Sequence, residues 1–171
     1  MKSLLILFLL VPICLWAQSP EDKLAELGIE LPEMSVPMAN YAKYVQTGNL
    51  IFLAGHGSCG TPTEVDRGKL GSDLTVEQGY EAARNVGICM LSTLKHAVGD
   101  LSRVSQIVKV EGMVNSTGDF TQQPAVVNGF SDLMVEVFGE KGKHARQAVG
   151  MASLPSGITV EVSMVVEVSE E

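Results

Sequence analysis

The chain reads as an α+β domain: a single mixed β-sheet with two helices packed on one face, in the order β-β-α-β-α-β-β. Two observations carry this reading. Two segments place apolar residues at three- and four-residue steps, the period of a helix with one buried side, and five shorter segments are apolar-alternating or continuously apolar between Gly, Pro and Asn punctuation. With 171 residues, of which 46% are hydrophobic, the chain is long enough to bury a core as one domain.

The first residues are set apart from that domain. Lys2 precedes an apolar run over residues 4–17 that is broken by Pro12. The run is too short to cross a bilayer, which takes about 20 residues. With Leu15-Trp16-Ala17 ahead of Gln18, it fits a secretory signal peptide over residues 1–17, against the alternatives of an uncleaved anchor or a core helix. Bulky Ile13 before Cys14 disfavours lipid attachment there. The expected localisation is periplasmic or secreted, with no membrane attachment after cleavage.

Residues 18–40 hold three of the seven prolines around Leu24-Ala25-Glu26-Leu27, which predicts a helical turn or two followed by extended chain: an N-terminal arm to a domain spanning 41–169. Gly48-Asn49 supplies the positive φ of a tight turn, so residues 44–46 and 50–54 form a hairpin. Residues 55–73 carry five glycines and no period, and are read as a long loop bordering a site. Thr75 and Gln78 stand at capping-box spacing, and Val76, Tyr80, Ala83, Gly87, Met90, Leu91, Leu94 and Val98 follow as a helical stripe that Gly99 ends. Residues 104–114 alternate late, as a strand. Pro124 opens a second amphipathic helix through Val127, Phe130, Leu133, Met134, Val137 and Phe138, which Gly139 ends. Residues 146–152 and 158–168 are strands joined by a turn at Leu154-Pro155-Ser156-Gly157, the last strand setting Val160, Val162, Met164 and Val166 on one face and Glu161, Ser163 and Val165 on the other.

Two helices cover only one face of such a sheet, yet several strands are apolar on both. The uncovered face is therefore expected to bury itself against another copy.

Twelve Lys and Arg against twenty Asp and Glu give a formal charge of −8, which argues against a broad nucleic-acid surface. No GxSxG, HExxH or P-loop is present. Cys59 and Cys89 are permitted to pair in an oxidising compartment, but a lone pair in a chain that builds its own core is more often two independent thiols. His56, His96 and His144 are scattered and form no metal-ligand spacing with the cysteines, so a structural zinc site has no support.

The informative residue is Glu161, a carboxylate in an otherwise aliphatic strand, where burial costs several kcal/mol unless the charge is paired. Its natural partner is Arg146 on the preceding strand. One reading is a structural ion pair or an exposed edge glutamate. The other is that Arg146 offers its planar fork to a substrate carboxylate while Glu161 orients or deprotonates water.

The run His144-Ala145-Arg146-Gln147-Ala148-Val149-Gly150-Met151-Ala152-Ser153-Leu154-Pro155, followed by Val160-Glu161-Val162, resembles the closing signature of the RidA/YjgF family, also called endoribonuclease L-PSP proteins. Asn40-Tyr41, Gly48-Asn49 and Ala54-Gly55 resemble its opening signature. Gly129-Phe130-Ser131-Asp132-Leu133 and the start at His144 resemble its chorismate-mutase-like branch. The resemblance implies an α+β homotrimer with sites at subunit interfaces. It also implies, for members that hydrolyse reactive imines and enamines, that Arg146 holds the substrate carboxylate, Glu161 positions water, Tyr41 lines the pocket, Asn128 borders it and the Gly55 main chain contacts the substrate. The family's serine before Gly55 is Ala54 here, a frequent glutamine after it is His56, and the cysteine two residues past the arginine is Ala148. The implied function is a deaminase of small reactive 2-imino and enamine acids that requires no metal or organic cofactor, with a non-catalytic binder of small carboxylates as the alternative. Ribonuclease activity is disfavoured by the charge, and the chorismate-mutase label denotes fold alone.

Overall fold

The computed structural model describes residues 18–169 except Ser35 and Met38, so the proposed signal peptide lies outside the described residues. Helix α1 (Pro20–Glu26) is followed by β1 (Tyr44–Thr47), β2 (Leu50–His56), α2 (Val76–Val98), β3 (Val104–Asn115), α3 (Gln123–Phe138), β4 (Ala145–Met151) and β5 (Val160–Val168). The five strands form one sheet in the order β1-β2-β5-β3-β4. Only the β3–β4 pair is parallel, so the sheet is mixed.

Local chemistry sets the helix ends as the sequence indicates. The Thr75 hydroxyl accepts from the Gln78 amide, and the Gln78 side chain accepts from the Thr75 amide at 2.9 Å. Both long helices lie on one face of the sheet. Ala83, Val86, Met90 and Leu94 of α2 and Val127, Phe130, Leu133 and Met134 of α3 are buried with Ile51, Leu53, Val110, Val114, Val162, Met164 and Val166 of the strands. The two helix backbones approach closely at Gly129, where a β-carbon would overlap the Tyr80 carbonyl.

The arm is fastened to this domain at several points. Ser19 and Asp22 form a capping box, Leu24 is buried, Glu21 Oε1 accepts from the Leu101 amide at 2.8 Å and from Lys95 Nζ, and the Ser92 hydroxyl donates to the Pro32 carbonyl.

Among the described residues, no helix covers the opposite face. Phe52 pairs with Val45 on one side and Val165 on the other, and Val149 pairs with Met113. Phe52, Val45 and Val149 remain 45%, 58% and 44% exposed.

Two expectations are corrected. Cys59 and Cys89 are not independent thiols: they form a disulfide, Cα to Cα 5.8 Å, that ties the loop after β2 to the middle of α2. Nor is β4 the neighbour of β5. The link after β4 is not a tight hairpin; β3, α3 and β4 instead form a crossover unit that lays β4 parallel to β3 at the sheet edge, and β5, the strand with the most regular aliphatic alternation, takes a central place with partners on both sides.

Candidate functional site

Strand order and register decide which candidate residues meet. Arg146 is in register with Val110 of β3, and Glu161 with Met113 of the same strand. Val110 faces the helices, fully buried, whereas Met113 is an odd number of residues away and faces the other side. Arg146 and Glu161 therefore lie on opposite faces of the sheet with β3 between them. At strand spacings of about 4.8 Å and a rise of ~3.3 Å per residue, their Cα atoms are roughly 14 Å apart. The ion pair expected between them does not form within one protomer, and Glu161 is half-buried on the open face rather than sunk in the core.

Each residue belongs to its own cluster. At the edge strand, Arg146 Nη1 donates to Asn128 Oδ1 at 2.8 Å and to the Ser131 hydroxyl at 3.0 Å, both on α3. Ser131 Oγ is also 3.0 Å from His144 Nε2, and His144 Nδ1 is 2.6 Å from the Gly142 carbonyl. Burial, and after it the neighbouring guanidinium, holds the His144 imidazole below its ordinary range, against an opposing effect of the Gly142 carbonyl. Ser131, Val135, Lys143, His144 and Arg146 line an open hollow of about 220 Å³. Arg146 is exposed, and among the described residues no carboxylate pairs with it.

On the open face, Glu161 lies against Gly55. A β-carbon on Gly55 would overlap Glu161 Oε1, so glycine leaves the room the carboxylate occupies. Gly55 sits at an irregularity in the β2–β5 register, between Leu53 and His56. His56 turns inward from the same segment, 5% exposed, with Nδ1 2.7 Å from the Ala54 carbonyl and Nε2 2.8 Å from the Thr93 hydroxyl. Cys59 follows three residues later. The disulfide thus anchors the chain that carries Gly55 and His56.

Tyr41 precedes β1 and is half exposed. One protomer brings Arg146 together with Asn128 and Gly55 together with Glu161, but joins neither pair to the other. Ser131 and His144 were missed as site residues by sequence reasoning. Their signals are short spacings: Ser131 is three residues after Asn128, one helical turn along, and His144 is two before Arg146 on an extended chain. Among the described residues, no three metal-ligating side chains converge and no helix is long and apolar enough to cross a membrane.

A two-layer α+β fold with an unpaired arginine at its sheet edge and a glutamate held over a glycine backbone defines the class to which comparison with known proteins also leads. Residues 21–168 match the family model described as "YjgF/chorismate_mutase-like, putative endoribonuclease", and the chain belongs to that family. It is 44% identical over 153 residues to protein TCP17 of Trypanosoma cruzi, covering 85% of this chain and 92% of the relative. Among solved structures it is similar to Atu1372 of Agrobacterium tumefaciens, described as of unknown function, at 38% identity and a TM-score of 0.81, covering 88% and 92% of the two chains. It is also similar to a Shewanella oneidensis protein described as a "putative endoribonuclease", at 33% identity and a TM-score of 0.84, covering 88% and 99%.

Proposed function

We propose that this protein is a hydrolytic deaminase of small reactive 2-imino and enamine acids, acting at a site shared between protomers of a homotrimer. The observation that carries this reading is the state of Arg146. Its Nη1 donates to two neutral acceptors, Asn128 and Ser131, while Nε and Nη2 have no partner among the described residues and are left to donate to a carboxylate in bidentate fashion. The exposed apolar face around Phe52, Val45 and Val149 supports assembly, because burying it requires further copies. The sheet supports a composite site: Arg146 and Glu161 of one chain lie on opposite faces, so in this reading the two that act on one substrate come from different protomers.

The chemistry asks little of the protein. With the substrate carboxylate fixed by Arg146, a water held by Glu161 adds its oxygen to the C=N carbon and passes a proton to the carboxylate. Glu161 returns that proton to the nitrogen to give the carbinolamine, then takes the hydroxyl proton and delivers it to the amino group, so that ammonia leaves as the carbonyl of a 2-oxo acid forms and the Glu161 carboxylate is regenerated. The imine carbon is already electrophilic, so the protein supplies proximity and orientation. Gly55 leaves its main chain open beside Glu161, and Tyr41 closes the pocket from the exposed segment before β1.

Release of ammonia from freshly generated imino acids, followed by stopped flow, tests this. Acceleration above buffer that disappears in Arg146→Ala while the oligomer persists supports it, and no acceleration at all sinks it. A second reading, a non-catalytic binder of small carboxylates, is favoured by Ala148, which packs against the core where the family carries a thiol. Thermal stabilisation by 2-oxo acids that depends on Arg146, without turnover, distinguishes it. The disulfide fits an oxidising compartment, which with the leader-like residues 1–17 supports a periplasmic or secreted location.

A further inference from the structure

Four groups around Arg146 form a hydrogen-bond chain whose directions are fixed by what each atom can do. The Gly142 carbonyl only accepts, so His144 Nδ1 carries the proton and donates to it at 2.6 Å. Neutral His144 then presents Nε2 as an acceptor, and the group that reaches it is the Ser131 hydroxyl at 3.0 Å. Ser131 spends its single proton on His144, which turns its lone pairs toward Arg146 Nη1, also at 3.0 Å. The second hydrogen of Nη1 goes to Asn128 Oδ1 at 2.8 Å. The depressed basicity of the half-buried imidazole keeps it in the accepting form at neutral pH.

We infer that Ser131 and His144 are positioning residues that fix the Arg146 guanidinium so that its Nε–Nη2 edge faces the substrate carboxylate. This inference rests on the carboxylate-binding role proposed for Arg146. Without the pair, the guanidinium keeps one contact, to Asn128, and is free to rotate about it. Each acts through Arg146, and the loss falls on carboxylate binding rather than on the water-activating half around Glu161.

The test uses the full assembled protein and pyruvate, a 2-oxo acid with the carboxylate geometry of an imino acid, in isothermal titration. Ser131→Ala and His144→Ala are expected to weaken pyruvate binding about tenfold, the size of a lost hydrogen bond to a charged group. With an imino-acid substrate the same variants raise KM with kcat retained. Ser131→Thr and His144→Gln, which keep the hydroxyl and an acceptor at the Nε2 position, restore both values. Nitrogen-15 NMR of the unmodified protein is expected to show His144 with its proton on Nδ1, and this reading stands even where a variant does not fold. A proton on Nε2 overturns the inference. So does wild-type binding that depends on Arg146 but is unchanged in Ser131→Ala and His144→Ala, a result that leaves the proposed function intact. Wild-type protein that neither binds pyruvate nor accelerates imine hydrolysis removes the proposed function and this inference with it.

Discussion

Arg146 and Glu161 stand on opposite faces of one sheet, because their partners Val110 and Met113 on β3 are an odd number of residues apart. If both act on one substrate, each working site draws them from two protomers, and damaged chains should repair one another. Arg146→Ala and Glu161→Gln are each expected to be inactive alone. After co-refolding at equal ratio, random assembly gives about a quarter of the interfaces one intact arginine and one intact glutamate, so about a quarter of wild-type deaminase activity returns. Mixed assemblies that stay inactive would place the reaction elsewhere.

Gly55 offers a second handle on the same half-site. The Glu161 carboxylate occupies the space that a β-carbon there would need. Gly55→Ala therefore pushes the carboxylate aside without touching Arg146. A displacement of about 1 Å in a group that orients water costs on the order of a hundredfold in kcat. Pyruvate affinity, which the proposed function assigns to the arginine, should hold. Titration and turnover measured on the same preparation separate the two, and equal losses in both would show that the substitution disturbs more than Glu161.

The division of the candidate site over two faces was not legible in the sequence, although most of the fold was. Alternation in residues 158–168 states that Val160 and Glu161 face opposite ways on one strand, and the structure agrees. The Thr75–Gln78 capping box and the stripes of α2 and α3 were likewise local signals, each set by atoms within a few residues of one another. Which strand lies beside which is decided by long-range pairing and crossover geometry. A turn containing Leu154-Pro155 suggests a hairpin, while the crossover from β3 through α3 puts β4 at the edge and leaves β5 in the middle. The association of Arg146 with Asn128 rather than Glu161 follows from that placement. Disulfide pairing escaped for the same reason: it depends on how the loop after β2 folds back over α2.

That disulfide closes a loop between residues 30 apart in sequence. On the chain-entropy account, a closure of that length contributes about 3–4 kcal/mol, and engineered or native bridges commonly deliver 2–4. Cys59→Ser with Cys89→Ser is expected to lower Tm by roughly 5–15 °C for a domain of this size. Reducing agent should do the same to the unmodified protein and nothing further to the double variant. Because the bridge anchors the segment leading out of Gly55 and His56, kcat should fall more than pyruvate affinity. A Tm insensitive to both treatments would show that the loop is held without the bridge.

His56 makes acid a stress on the same segment. It is 5% exposed, and burial holds its pKa below the ordinary imidazole value, with Lys43 adding to the effect and the Ala54 carbonyl opposing it. The sign follows from linkage. In the unfolded chain the imidazole takes up a proton near its ordinary pKa, while the folded protein resists until lower pH, so the unfolded state binds more protons in between. Stability is full above about pH 6.5 and declines as pH falls from there toward the folded pKa. His144 is depressed in the same direction, so both contribute to the decline. Urea midpoints measured from pH 8 down to pH 5 should therefore fall below pH 6.5, and His56→Gln, which does not titrate, should flatten part of that fall whatever it does to stability at pH 8. A slope unchanged by the substitution would mean that His56 takes up its proton alike in the folded and unfolded chain.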